Sequence, residues 1–237
     1  MRRDHPDVIQ ITGATPLPAA ASEVVRVLSP LVTEARLARM NAVIARRTRS
    51  LVPVLEDRLD PHNGAAVMRS SDAFGCHEMH IIEDEHKFAV SHPVTRGTHR
   101  WLELHKHDST TSCIKHLREH GYKVFIAAMG GEHSPESIAE VPRAAIVFGT
   151  EHKGISDEMR AAADGAYAIP MVGFVESLNV SVASAISLYV ASRGRHGDLS
   201  EAERETIRAR YLLSQIKDAV RIVKAAATTE LSPSGAE

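Results

Sequence analysis

Cysteine is nearly absent from this chain: Cys76 and Cys113 are the only two among 237 residues. Two thiols without a C-x-x-C pair suggest neither a disulfide framework nor a zinc ribbon. Long apolar runs are missing too, none approaching the ~20 residues that cross a bilayer. The opening MRRDHPDVIQITGATPLPAA is broken by proline and by early acids, unlike a secretory signal. The expected home is therefore the cytoplasm, with no membrane partner. An excess of one charge is also lacking. The formal net charge of −2 argues against a uniformly basic nucleic-acid binder, so charge must be weighed segment by segment. There are no internal repeats, and no G-x-G-x-x-G follows a strand, which counts against a Rossmann-type site. The 14 histidines show no metal-ligand spacing. His77-x-x-His80 falls on an expected strand and reads as surface decoration, so no metal is expected.

What is present is an ordinary globular composition, 43% hydrophobic and 24% charged, long enough for one sizeable core with short appendages. The densest pattern lies in 144–190. Ala144–Phe148 is an apolar run of buried-strand type ending at Gly149, where a missing Cβ allows a sharp turn or a close approach. A polar loop over Thr150–Gly154 follows, then Ser156 as a helix N-cap with Asp157 and Glu158 at the positive helix end. Ala166–Ile169 reads as a second buried strand closed by Pro170. After the loop Met171–Glu176, Ser177 or Asn179 can cap a long helix whose Val182, Ile186, Tyr189 and Val190 share one face, expected to be buried. Its small residues Ser181, Ala183, Ser184, Ala185 and Ser187 allow another backbone to pack close.

Upstream, Val52–Leu55 and Met79–Ile82 read as strands around a helix over Gly64–Ala73. Asp60-Pro-His-Asn63 forms the turn that delivers Asn63 to the helix start. A helix over Asp108–His120 precedes a strand at Lys123–Ala128. This alternation predicts an α/β fold with a parallel, doubly wound sheet. The expected division is a lead-in and basic helix over 1–50, a core over 51–195, and a helical extension with tail over 196–237. Residues 84–107 are rich in His, Lys and Arg. Thr33–Ser50 carries Arg36, Arg39, Arg46, Arg47 and Arg49 against the single acid Glu34. A final helix over about 200–227, opened by a Ser200–Glu203 capping box, aligns Arg210, Lys217, Arg221 and Lys224. Such runs are either solvated faces or phosphate contacts.

Gly149-Thr-Glu-His-Lys-Gly-Ile-Ser156 and Ile169-Pro-Met-Val-Gly-Phe-Val-Glu-Ser-Leu-Asn-Val-Ser-Val-Ala183 resemble two signature motifs of the SpoU-type RNA ribose 2′-O-methyltransferases of the knotted SPOUT superfamily. Asn63-Gly-Ala-Ala-Val-Met-Arg69 is similar to a third, and the resemblance spans roughly residues 33–195. It implies a C-terminal trefoil knot and an enzyme that moves a methyl group from S-adenosylmethionine to a ribose 2′-OH. The branch it looks most like modifies guanosine 18 in the tRNA D-loop.

By the same resemblance Arg69 acts on the hydroxyl, and Asn63, Glu151, Ser177 and Asn179 complete the catalytic set. Ala127, Gly149, Ile169, Met171 and Leu178 would line the donor pocket, without a metal. The stretch 84–107 would be an irregular loop near the RNA. Arg46, Arg47, Arg96, Arg100, Arg210 and Arg221 are the expected RNA contacts, and the helix Val180–Val190 the homodimer seam. Whether Arg69 serves as base or as an electrostatic activator stays open, since arginine holds its proton tightly. A plain i,i+3 pairing of Arg69 with Asp72 is its structural alternative. The rival functions are methylation of 23S rRNA or of the tRNA wobble nucleotide, and a non-catalytic RNA-binding module.

Overall fold

The computed structural model describes residues 8–10, 16–56, 60–83, 88–91, 97–98, 101–150 and 154–231. In chain order its elements are β1 (Val8–Gln10), α1 (Ala21–Leu28), α2 (Glu34–Ile44), β2 (Leu51–Glu56), α3 (Pro61–Ala73), β3 (Glu78–Ile82), β4 (Ala89–Ser91), β5 (Glu103–His107), α4 (Thr110–Glu119), β6 (Lys123–Ala127), α5 (Pro135–Ala139), β7 (Ala144–Phe148), α6 (Asp157–Ala162), β8 (Gly165–Tyr167), α7 (Val180–Ala191), α8 (Glu201–Gln215) and α9 (Ala219–Leu231). The chain divides into two compact units. One is Met1–Ala14 with Thr48–His196, the other Thr15–Arg47 with Gly197–Glu237.

The first unit is built on a six-stranded sheet in the order β5-β3-β2-β7-β6-β8, with every neighbouring pair parallel. Parallel strands are covered on both faces, which is why β2, β3 and β7 are buried along their whole length. Leu51, Leu55, Met79, Ile81, Ile146 and Phe148 pack on one face with Ala65, Val67 and Met68 of α3 and Leu188 and Ala191 of α7. Val52, Val54, Ile82, Val124, Ala145 and Val147 pack on the other, with Cys113, Ile114 and Leu117 of α4 and Met159 of α6. The short strands β1 and β4 pair antiparallel in a separate ribbon, where the lead-in was expected to be loose.

The second face turns polar toward the β3–β5 edge. Glu78 pairs in register with Glu103, His80 with His105 and Ile82 with His107, so these side chains share that face. Arg49 forms ion pairs with both Glu78 and Glu103, the latter at 2.9 Å, and the Tyr122 hydroxyl lies 2.6 Å from Glu78 Oε1. Burial pushes the Glu78 carboxyl up. His105, Arg49 and Tyr122 outweigh it and bring the group down to about 2. Hydrogen bonding to His77 and then Arg49 holds Glu103 well below the usual carboxylate range, against the effect of burial. Burial also lowers His80 to about 3, reinforced by His105, His107 and His116 and opposed by Glu78. The surface role expected for His77-x-x-His80 is thus corrected: both side chains are buried. The period-2 pattern that placed them on a strand did not reveal that α4 covers it.

Four further expectations are revised. β5 occupies part of the segment read as irregular, its polar ELHKH hidden from a search for apolar runs. α7 buries Ser184, Ser187, Leu188 and Ala191, while Val182 and Tyr189 of the expected buried face are exposed. The inward serines are satisfied locally. Ser187 Oγ donates to the Ala183 carbonyl and accepts from the buried Tyr167 hydroxyl at 2.7 Å, so the small residues allow the helix to sit close to β8. The single C-terminal helix is two helices, parted where Asp218 takes φ 58°. The arginine-rich helix ends at Ile44, leaving Arg46, Arg47 and Arg49 beyond it.

In the second unit, Val24 and Leu28 of α1 meet Ala209 and Leu212 of α8 and Ala219 and Val223 of α9. Neither flank carries enough apolar surface to close a core alone; together they do. The capping box between Ser200 and Glu203 forms at the start of α8.

Candidate active site

β2, β7, β6 and β8 lie side by side and point the same way, so the segments leaving their C-terminal ends emerge at one edge. α3 leaves β2. Asp60 caps it by accepting from the His62 N–H at 2.9 Å, and Pro61 supplies the preset φ of a first turn. Asn63 is consequently the third helical residue, one turn inside the expected cap. Six residues on, Arg69 is rotated by roughly 240° about the axis. The two side chains therefore leave different faces of α3. Arg69 is exposed.

α3 packs against α7, whose N-cap is Asn179. The Asn179 carboxamide accepts from the Ser181 N–H at 2.8 Å and the Ser181 hydroxyl at 2.5 Å. Capping thus falls to Asn179, and Ser177 stands exposed two residues earlier.

The turn after β7 depends on Gly149. A Cβ there would lie 2.2 Å from the Gly154 carbonyl oxygen, because the loop folds back on itself through Thr150 N–H to Gly154 O (3.1 Å) and Gly154 N–H to Thr150 O (3.0 Å). Glu151 lies outside the described residues, as do Arg96 and Arg100. The loop is anchored by a residue the sequence reading passed over. Glu56, buried at the end of β2, accepts from the Ser156 N–H at 2.9 Å and from the Ser156 hydroxyl, with Thr110 Oγ1 at 3.3 Å. Ser156 in turn caps α6 through the Met159 N–H. The available signal was an acid closing the apolar run LVPVLE.

Of the expected donor-pocket residues, Ala127 ends β6 and Gly149 follows β7, while Ile169, Met171 and Leu178 lie in the segment after β8. All are half-buried except Met171, which is exposed. The arginines separate. Arg46 and Arg221 are exposed and Arg210 is half-buried. Arg47, expected to meet RNA, is 1% exposed, with its guanidinium 3.3 Å from the Tyr211 hydroxyl. Burial against α8 removes it from the RNA-contact set.

This arrangement, a parallel α/β sheet with motif-bearing loops at one edge, is that of the SPOUT methyltransferases. The profile of the SpoU rRNA methylase family matches residues 50–189, and the chain belongs to that family. A tRNA (guanosine(18)-2′-O)-methyltransferase of Borreliella burgdorferi is 34% identical over 198 residues, covering 81% of this chain and 91% of that protein. Its Thermus thermophilus counterpart is 37% identical over 164 residues, 69% of this chain and 84% of the other. Among solved structures, an A. aeolicus TrmH/SpoU tRNA modifying enzyme superposes with a TM-score of 0.68 at 29% identity, covering 78% of this chain and 98% of that one.

Replacing Glu56 with alanine leaves the Ser156 N–H and hydroxyl without their buried acceptor, which costs roughly 2–3 kcal/mol for hydrogen bonds to a charged group. Chemical denaturation should register that loss, with Glu56→Gln falling between. A Glu56→Ala protein as stable as wild type would remove the anchoring role.

Proposed function

We propose that the chain transfers the methyl group of S-adenosylmethionine to the ribose 2′-OH of guanosine 18 in tRNA, working in the cytoplasm. The observation that carries this reading is the opening, at one sheet edge, of α3 with exposed Arg69, the Gly149 turn and the Ile169–Asn179 segment. Half-buried Ile169 and Leu178, exposed Met171 and the backbone around Gly149 suit an adenine and a methionine chain better than a chain of phosphates. S-adenosylmethionine, once bound, supplies an electrophilic methyl carbon on a sulfonium. Arg69 would act from the nucleophile's side, its guanidinium fork gripping a neighbouring phosphate and stabilising charge that develops on the 2′-oxygen. Asn63, on another face of the helix, would orient ribose, and Glu151, Ser177 and Asn179 would organise the loops around it. Exposed Arg46 and Arg221, half-buried Arg210, and Arg96 and Arg100 would bind phosphates. Such contacts give affinity with little base specificity.

The assembly would be a homodimer. Val172 and Phe174 are fully exposed, and Val175, Val182 and Tyr189 more than 40% so. They form a run of apolar side chains over α7 and the segment before it, of the kind a partner surface covers. A second copy seated there would bring its own residues beside each donor pocket.

Arg69→Ala should lower tritium transfer from labelled S-adenosylmethionine to tRNA by about 10²–10³-fold, while calorimetry finds donor affinity nearly unchanged. Turnover within a few-fold of wild type would take Arg69 out of the mechanism. Phe174→Asp should sediment as a monomer where the wild type sediments as a dimer; identical sedimentation would exclude this surface as the seam.

A further inference from the structure

On the sheet face opposite α3, three elements bring soft and borderline donors together in a place that the proposed reaction does not use. His80 of β3 is 0% exposed. Its Nδ1 lies 2.9 Å from Nε2 of His107 on β5, with the two rings 14° from parallel and 5.2 Å apart. Its other nitrogen, Nε2, is buried without a hydrogen-bond partner. One donor atom each from His80, His107 and Cys113 of α4 falls within 4.8 Å of the others. The half-buried His116, one helical turn beyond Cys113, sets its ring 5.2 Å from His80 and 5.4 Å from His107. Imidazole and buried thiol is a donor set for a borderline d-block cation, not for magnesium or calcium.

We propose that His80, His107 and Cys113, with His116 as the fourth ligand, bind a divalent transition-metal ion of the zinc type. Tetrahedral zinc holds its ligands roughly 3.3–3.7 Å apart. The 2.9 Å nitrogen pair must open slightly and the thiol must close in, both within reach of side-chain rotation. Burial, then neighbouring imidazoles, lowers His107 to about 4 and His80 further, which leaves both neutral and ready to ligate. Burial, aided by the Glu56 charge, pushes the Cys113 thiol up to about 12, so its proton must pass to solvent as the metal–sulfur bond forms. The neighbouring trio Glu78, Glu103 and His105 is a poorer candidate, because Arg49 already neutralises both carboxylates. The ion would pin α4 to β5, the edge strand of the sheet, and fix the orientation of the buried His80 ring.

The test uses the full, untagged chain stripped with a chelator. Zinc uptake is followed by competition with a chromophoric chelator, and cobalt(II) is added separately for its visible spectrum. One ion per chain is expected, with the cobalt spectrum of a tetrahedral site containing a thiolate and a zinc-dependent rise in melting temperature. Cys113→Ser should abolish the thiolate band and weaken zinc by at least roughly tenfold, since even the outer partners of metal ligands are worth about 10–100-fold in affinity. His107→Gln, at a half-buried position, should weaken it without unfolding, as checked by circular dichroism. No uptake by the natively folded wild type would overturn the proposal. Uptake unchanged in both variants would also overturn it, placing the ion on other histidines.

Discussion

Six strands running in one direction send every segment that leaves a strand's C-terminal end to the same edge, and the rest of this molecule depends on that constraint. The edge gathers α3 after β2, the Gly149 turn after β7, Ala127 at the end of β6 and the Ile169–Asn179 segment after β8. These pieces are far apart in sequence and share no contact that a spacing rule would reveal. Holding them takes specific ties. Glu56 binds Ser156 across 100 residues, and the Gly149 turn closes only because no Cβ stands against the Gly154 carbonyl. At the opposite edge, Arg195 donates to the carbonyls of Ser50, Ile138, Pro142 and Val141, binding the end of α7 to the starts of the central strands.

Two chemistries divide the sheet's faces. The face against α3 and α7 is apolar and supports the loops of the candidate active site. The other carries, beside its apolar part, a layer of histidine, glutamate and arginine under α4. Burying charge is costly unless it is paired. Here Arg49 meets two carboxylates, while burial and then neighbouring imidazoles lower the pKa of His80 and His107. Val182 and Tyr189 of α7, with Val172, Phe174 and Val175 before it, face outward instead, the reverse of a folded core.

The buried apolar strands were legible because β2 and β7 are continuous hydrophobic runs, and the caps because serine, asparagine and aspartate precede helices for a local reason. Motif resemblance located the edge loops. What stayed hidden was decided by tertiary partners. The direction in which α7 buries itself was misread because that helix is apolar or small on every side, leaving periodicity nothing to choose between. Arg47 and Arg49 looked like a phosphate-binding run, yet one is buried against Tyr211 and the other neutralises Glu78 and Glu103. The histidine cluster gave no spacing signal because its members come from β3, β5 and α4. The two flanks read as separate extensions because the apolar stripe of each finds its partner nearly 200 residues away.

The central claim is that this edge methylates one ribose oxygen in tRNA. The most direct measurement is mass-spectrometric mapping of ribose methylation in an unmodified tRNA transcript incubated with the purified chain and S-adenosylmethionine. A single 2′-O-methyl group at guanosine 18, absent when guanosine 18 carries a 2′-deoxyribose, is the predicted result. Methylation at another nucleotide, on a base, or not at all in the presence of folded protein and bound donor would contradict it.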